Sequence, residues 1–392
     1  FVFFLFDINY NTSLIPQIFI DNILNHAANS LSGFIFAFFS TVSLIPVINY
    51  LSIKYKIVDK PEQRKLHKSN IVRLGGLGIF LGLYISIFIL KVFGLFQFDP
   101  NSFFWPIFTC APFFFVVGFV DDIFNISPFT RLFLQVVLSI FVWSCGFHIN
   151  NLIINSFFGE NLSLSIMSTY SLIFTVLWIV GMTNAINWLD GLDGLATGVV
   201  SISTFGMICA SIGHQNYEYL PILTSFLGAC LAFLIYNFHP SKIVMGDGGS
   251  YLLGFISATM CLILFEPGLN INFKSKLDFY FLESILLFAV PLFDMLFVIY
   301  SRIKSKKSIF FPDRKHFHHR LFDNGFNQQD VAFLIFTLSQ WFVSLGLVVS
   351  FNYFNKYTLI IFLFSTTLLF AVFAMKCQIS KILKLEFYPR VN

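Results

Sequence analysis

An all-α, polytopic bundle of membrane-spanning helices is the fold class that this sequence predicts, and three observations predict it. Hydrophobic residues fill 57% of the 392 positions, 56 of them with phenylalanine, and charged residues only 11%. An ordinary soluble domain carries about 25% charge, and a soluble fold of this length lacks the polar cover to hide so much apolar side chain. The disordered and fibrous classes fall on the same figures. The second observation is a series of apolar runs of about 20 residues, the length that crosses a bilayer as a helix. The third is that the basic residues sort to one side of those runs.

The runs fall at 31–53, 74–95, 103–120, 129–149, 169–187, 195–213, 221–238, 249–265, 280–300, 331–351 and 357–375, eleven expected spans in one integral membrane domain over 1–392. Residues 1–30 read as an extracytoplasmic leader segment, with no basic stretch ahead of Phe1–Phe6 to make a signal peptide. The segments 54–73 and 301–329 read as loops, and each carries seven Lys or Arg. If eleven helices alternate, twenty of the 24 basic residues face one side and only Lys91, Lys274, Lys276 and Lys356 the other. By the positive-inside rule the amino terminus is then outside, with both loops and the carboxyl terminus in the cytosol. The six cysteines are scattered without a C-x-x-C pair and read as small buried hydrophobes.

Five polar clusters break the apolar text, each at the cytosolic end of a span. The first, V-D-K-P-E-Q-R-K-L-H (58–67) leading to Arg73, serves either as an anchor to anionic headgroups or as a phosphate contact; Gly75 and Gly76 would let backbone approach a phosphate. The second is Asp121-Asp122, adjacent carboxylates that repel one another at a membrane boundary and call for a divalent cation or a base role. Arg131 follows just inside the next span and needs an anionic partner, so an ion pair with one Asp is the structural alternative. The third is N-A-I-N-W-L-D-G-L-D-G-L-A (184–196). Spacings of three put Asn184 with Asn187, and Asp190 with Asp193, on shared helix faces, while Gly191 and Gly194 argue for loop; the oxygens suit Mg²⁺ or sugar and base hydroxyls. The fourth is M-G-D-G-G-S (245–250), where Asp247 among glycines reads as a metal ligand and Ser250 as a helix cap.

The fifth cluster, F-F-P-D-R-K-H-F-H-H-R-L (310–321), holds His316, His318 and His319. Zinc is one reading, but Arg314, Lys315 and Arg320 repel a cation and match phosphate oxygens instead. Asp294 lies deeper, within the ninth run, where a carboxylate is a functional candidate by default; pairing with Arg302 is its structural alternative. Carboxylates, amides, a glycine turn and an Arg/His loop on one rim are what phosphoryl transfer requires. No P-loop is present, so the residues point to a membrane-embedded phosphotransferase acting on a lipid phosphate.

The motifs D-x-P-x-x-R-K-x-H (59–67), D-D (121–122) with Arg131 and Gln135, N-x-x-N-x-x-D-G-x-D-G-L-A (184–196), G-D-x-G-S (246–250) and P-D-R-x-H-x-H-H-R-L (312–321) stand in the order found in the polyprenyl-phosphate N-acetylhexosamine-1-phosphate transferase family. The chain resembles that family over about 31–325, and its last motif is similar to the branch that moves GlcNAc-1-phosphate onto undecaprenyl phosphate. The H-H-H-F-E of the phospho-MurNAc-pentapeptide branch is not present. Two departures are Val72, where the family often has Pro, and Gly248, where Thr or Ala is common.

The resemblance implies ten or eleven helices in the plasma (inner) membrane, a cytosolic site, Mg²⁺ (or Mn²⁺), a UDP-N-acetylhexosamine donor and an undecaprenyl phosphate acceptor. It implies no nucleic-acid partner and allows a homodimer. By motif, Asp121, Asp122, Asp190 and Asp193 are the expected catalytic residues, and Asp247 with Asn187 the expected metal ligands. Lys65, His67, Arg131, Asn184, Asn187, Arg314, His316, His318 and His319 are the expected substrate-binding residues. A transporter or flippase is the competing class, motivated by Asp294 and the number of spans.

Overall fold

The computed structural model describes residues 17–55, 72–96, 104–146, 149, 163–214, 216–264, 277–310, 316–323, 325–350 and 367. Among the described residues there are helices and no strands. They are α1 (Gln17–Lys54), α2 (Gly75–Val92), α3 (Phe104–Phe124), α4 (Pro128–Ser144), α5 (Leu164–Leu189), α6 (Leu195–Gly213), α7 (Leu220–Asn237), α8 (Gly246–Leu264), α9 (Leu277–Leu287), α10 (Ala289–Lys304), α11 (Phe317–Asp323) and α12 (Gln328–Ser350).

Ten of the eleven expected spans coincide with these helices, and the last, 357–375, lies outside the described residues apart from position 367. Seven are long and apolar enough to cross a membrane: α1 from Asn25, α2, α3, α5, α6, α7 and α12. The ninth expected span is a broken one. Its halves α9 and α10 bend by 80° around Phe288, ahead of Pro291, whose missing N–H cannot continue the first half's ladder. Counted as one crossing, the pair makes eight. Of the other two, α4 has 17 residues, and α8 opens on polar Gly-Asp-Gly-Gly-Ser.

Large apolar side chains such as Phe88, Phe124, Phe133, Leu177 and Tyr300 point outward. Such a surface would aggregate in water and suits lipid. Inside, helices meet where side chains are small, as membrane bundles require. α1 lies along α7, with Gly33 against Pro221 O and Ser225 Oγ, and Gly228 against Phe34 O. Ser86 of α2 joins the same seam, donating to Gly33 O at 2.9 Å and meeting Ser225 Oγ at 3.0 Å. α6 is deeply buried; its Gly198 receives the ring of Phe336, and Gly206 receives Val343 and Leu287.

α8 is the central element, packed on α3, α5, α2 and α6. Phe114 and Phe255 stack at 4.3 Å between α3 and α8. Gly118 abuts the Asp247 backbone, and Gly76 abuts that of Gly249. Extended backbone ties α2 to the approach of α8: Val244 N–H donates to Val72 O at 2.9 Å, Gly75 N–H to Val244 O at 2.9 Å and Gly76 N–H to Met245 O at 2.8 Å. Gly75 and Gly76 therefore serve close packing, with both amides spent on protein carbonyls rather than on a phosphate. The result gathers the last turns of α3, α5, α7 and α10 and the first turns of α2, α4, α6 and α8 at one end of the bundle.

Candidate functional site

Three carboxylates meet where α3 ends and α8 begins. Arg131, on the first turn of α4, is aimed back at α3 by a short corner in which Ser127 accepts from Thr130 N–H and Pro128 opens the helix. Its Nη1 donates to Asp121 Oδ2 at 2.5 Å and lies 3.9 Å from Asp247 Oδ2. Asp122 Oδ2 accepts the Gly248 N–H at 3.1 Å, and its Oδ1 is 3.8 Å from Arg73. That Oδ1 is buried with no hydrogen-bond partner. Gly246 makes the approach possible: its φ is +78°, and a Cβ there would meet Arg73 O and Asp122 Oδ2. The Arg131–Asp121 ion pair, the structural alternative for Arg131, thus forms, and it forms inside the carboxylate cluster.

The segment 184–196 divides its side chains. α5 ends at Leu189, with Asp190 as its cap residue, so Asp190 and Asp193 sit in a turn rather than on one helix face. Asn187 Nδ2 donates to Asp247 Oδ1 and to Ser250 Oγ, each at 2.8 Å. Ser250 is the fifth residue of α8, which starts at Gly246, and is not its N-cap residue. Asn184 turns instead to Gln135, donating to Oε1 at 2.7 Å. Burial, then the Asp247 carboxylate, push Asp190 well above the ordinary carboxylate range, with Arg73 opposing. Asp193 faces away from this cluster, accepting from Ser241 Oγ at 2.9 Å and Ser241 N–H at 3.2 Å and pairing with His239 Nδ1 at 2.8 Å. It fixes the chain between α7 and α8, and Gly194, at φ +72°, turns the backbone into α6. Between these strands of chain a cavity is lined by Asp190, Gly191, Leu192, Asp193, Asn237, Val244 and Gln328.

The histidine cluster closes over the same turn. His318 is buried against Gly191, where a Cβ would stand 2.5 Å from its Nε2. Burial, helped by His319 and His316, pushes His318 down to about 3. His316 stacks on His318 at 5.5 Å, and His318 lies 4.3 Å from His319. No three His, Cys, Asp or Glu groups converge on a metal among the described residues, which leaves the zinc reading of this cluster without support. Asp294 accepts from Phe317 N–H at 2.7 Å and pairs with His316 Nδ1 at 2.8 Å. Arg302 donates to Ile309 O at 2.5 Å and covers the Trp188 ring at 4.8 Å.

Of the residues singled out from sequence, Asp121, Asp122, Arg131, Asn187, Asp190 and Asp247 come together, with His316, His318 and His319 beside the 190–194 turn. Asn184 and Asp193 stand behind it on structural partners. Lys65, His67 and Arg314 lie outside the described residues. The structure adds Arg73, His239, Ser241 and Ser250 to the groups that shape the site. Only Arg73 and Ser250 carried a signal, each flanking a glycine motif.

Asp121, Asp122 and Asp247 against Arg73 and Arg131 leave an excess of negative charge, and their donors are hard oxygens. Mg²⁺ is commonly held by one or two carboxylates plus substrate phosphates rather than by a closed protein cage. The orphaned Asp122 Oδ1 and the partly exposed Asp247 carboxylate fit that chemistry.

Comparison with known proteins agrees with the geometry. The family described as Glycosyl transferase family 4 matches residues 104–265. The probable undecaprenyl-phosphate N-acetylglucosaminyl 1-phosphate transferase of Bacillus subtilis (strain 168) is 34% identical over 308 residues, covering 78% of this chain and 81% of its own. The undecaprenyl-phosphate alpha-N-acetylglucosaminyl 1-phosphate transferase of Thermotoga maritima is 29% identical, over 81% of this chain and 90% of its own. The decaprenyl-phosphate N-acetylglucosaminephosphotransferase of Mycobacterium leprae is 29% identical, over 74% and 76%. With the match running through the whole acidic cluster and the Asp190–Gly194 turn, the chain belongs to glycosyl transferase family 4.

Proposed function

We propose that this protein transfers N-acetylglucosamine 1-phosphate from UDP-N-acetylglucosamine to undecaprenyl phosphate, making the first lipid-linked intermediate of an envelope glycan. The observation that carries the reading is the convergence of Asp121, Asp122 and Asp247 on Arg131 and Arg73 at one rim of an apolar bundle. A lipid phosphate arrives at such a rim without leaving the membrane, and a water-soluble nucleotide reaches it from the aqueous side. An oxygen of the lipid phosphate attacks the β-phosphorus of the donor, the bridging bond to the α-phosphate breaks, and UMP leaves with the bridging oxygen. The acceptor is already an anionic nucleophile, so a single in-line step suffices.

Roles follow position. Asp121 and Asp122 orient the acceptor phosphate, and Arg131, drawn between Asp121 and Asp247, stabilises charge developing on the transferred group. Asp247, oriented by Asn187, would be the principal holder of Mg²⁺, with Asp122 next to it. When bound, the ion neutralises diphosphate oxygens. Asp190 and the cavity of the 190–193 turn receive the nucleotide half, and the His316–His319 cluster the diphosphate and sugar. Asp193 acts by holding the turn. The chain crosses the inner membrane eleven times, with the amino terminus outside and the site cytosolic, as its Lys and Arg distribution indicates.

Two experiments test this. Purified protein incubated with UDP-N-acetylglucosamine, undecaprenyl phosphate and Mg²⁺ is expected to form N-acetylglucosaminyl-diphospho-undecaprenol, read by mass spectrometry; folded protein that forms none would overturn the reaction. Single cysteines introduced at Lys304 and Asn216 of an otherwise cysteine-free protein should be labelled from opposite sides of oriented vesicles. Labelling from one side would overturn the topology.

A further inference from the structure

α10 carries two buried charges on one face, and each holds one end of the segment that brings the histidines to the site. Asp294 and Arg302 are eight residues apart, slightly over two helical turns and about 12 Å of rise. Arg302 takes the near end, donating to Ile309 O, while its guanidinium lies on Trp188, the neighbour of Asn187. Asp294 takes the far end with both oxygens: Oδ1 accepts from Phe317 N–H at 2.7 Å and Oδ2 pairs with His316 Nδ1 at 2.8 Å. Asp294 and His316 are both buried, at 7% and 8% exposure. With Oδ1 accepting from the Phe317 N–H, Oδ2 is placed to accept from an N–H at Nδ1 of the ring. His316 is further fixed by the edge of Trp188 at 5.8 Å and the face of His318 at 5.5 Å.

We infer that Asp294 is a positioning residue for the donor: it locks His316 in the Nδ1–H form and at one orientation, so that Nε2 is the ring nitrogen presented to the diphosphate of the nucleotide-sugar. This deepens the proposed reaction and rests on it. Asp294 touches no substrate. Its effect passes through His316 and through the first turn of α11, and it is confined to the donor because the acceptor phosphate is met by Asp121 and Asp122 on another wall. The same face explains why a carboxylate persists within a span, where it is otherwise costly.

The test is a double-mutant cycle in the purified full-length protein. Asparagine has the shape of aspartate but one accepting and one donating end, so Asp294→Asn satisfies either the His316 Nδ1–H or the Phe317 N–H, never both. The expected loss is about 10- to 100-fold in kcat/KM for the nucleotide-sugar, the range for groups that orient a ligand from behind. The KM for the lipid phosphate should stay within about two-fold. In a His316→Gln background, where the ring contact is already gone, Asp294→Asn should cost less than about three-fold more. Phe317→Pro, which deletes the other hydrogen bond at a first helical position where proline is accepted, should reproduce the donor-selective loss. Multiplicative penalties, an equal rise in the KM for the lipid, or wild-type rates would overturn the inference. So would failure of both variants to fold, since the carboxylate would then serve assembly. An inactive wild-type protein would speak against the reaction itself and is read first.

Discussion

Asn187 on α5 donates to Asp247 on α8 across 2.8 Å, and this one contact joins two sequence motifs sixty residues apart. The same amide nitrogen reaches Ser250, so the first turn of α8 is pinned to the last turn of α5. Asp247 is thereby oriented before any ligand arrives.

Asp247→Asn should lower turnover by about 100-fold or more, since it removes the carboxylate charge that would hold Mg²⁺. The amide still fits beside Asn187, so thermal stability in detergent should move by little. Turnover within a few-fold of wild type would remove Asp247 from the chemistry.

Arg131→Gln leaves Asp121 and Asp247 facing one another without the shared guanidinium. Stability should fall by about 1–3 kcal/mol, the cost of a buried polar group left unpaired. Adding Asp121→Asn should restore much of that stability and none of the activity. Recovery of turnover in the double variant would show that Arg131 serves Asp121 alone.

How much of this was legible in sequence differs from place to place. The spans were readable because lipid leaves only one way to satisfy a backbone, so length and apolarity suffice; 195–213 matches α6 to the residue. The bend at Phe288 was not, because a break in a hydrophobic run keeps its apolar composition. The carboxylates were readable because unpaired charge in a membrane protein is costly and therefore conspicuous. Their division of labour was not. Asp190 and Asp193 look equivalent in D-G-L-D-G, yet one joins the cluster and the other takes His239 and Ser241, partners more than forty residues away. Gly75 and Gly76 likewise read as phosphate contacts, and only the closeness of α8 shows that they make room for it.

Gly76→Ala tests that closeness. Its Cβ would enter the Gly249 backbone, forcing α2 from α8, with an expected cost of about 1–3 kcal/mol and a loss of activity as the 246–250 turn shifts. Gly181→Ala, where the nearest atom is Met295 Cε at 3.8 Å, should be tolerated. Equal melting temperatures for the two variants would contradict the packing argument.

His318 makes stability depend on pH. Its folded pKa of about 3 lies below the ordinary 6.5, so between these values the unfolded chain binds the extra proton. The contribution is whole above pH 6.5 and is lost as pH falls toward 3. Asp190, held well above the ordinary carboxylate range, works in the opposite sense, so the prediction is a difference: between pH 7.5 and 5.0 the wild type should lose melting temperature relative to His318→Gln. An unchanged slope in the variant would place the proton uptake elsewhere.

Chelation gives a further check on the acidic cluster. EDTA should abolish turnover and Mg²⁺ restore it, while circular dichroism stays constant. Full activity in EDTA would assign these carboxylates a purely structural role.

The central claim is that a phosphoryl group moves, and the nucleotide released tests it most directly. With UDP-N-acetylglucosamine, undecaprenyl phosphate and Mg²⁺, transfer of sugar 1-phosphate liberates UMP in equal amount to the lipid product. Release of UDP instead would mean that the sugar alone is transferred, and release of neither from folded protein would mean that this site does not run the reaction.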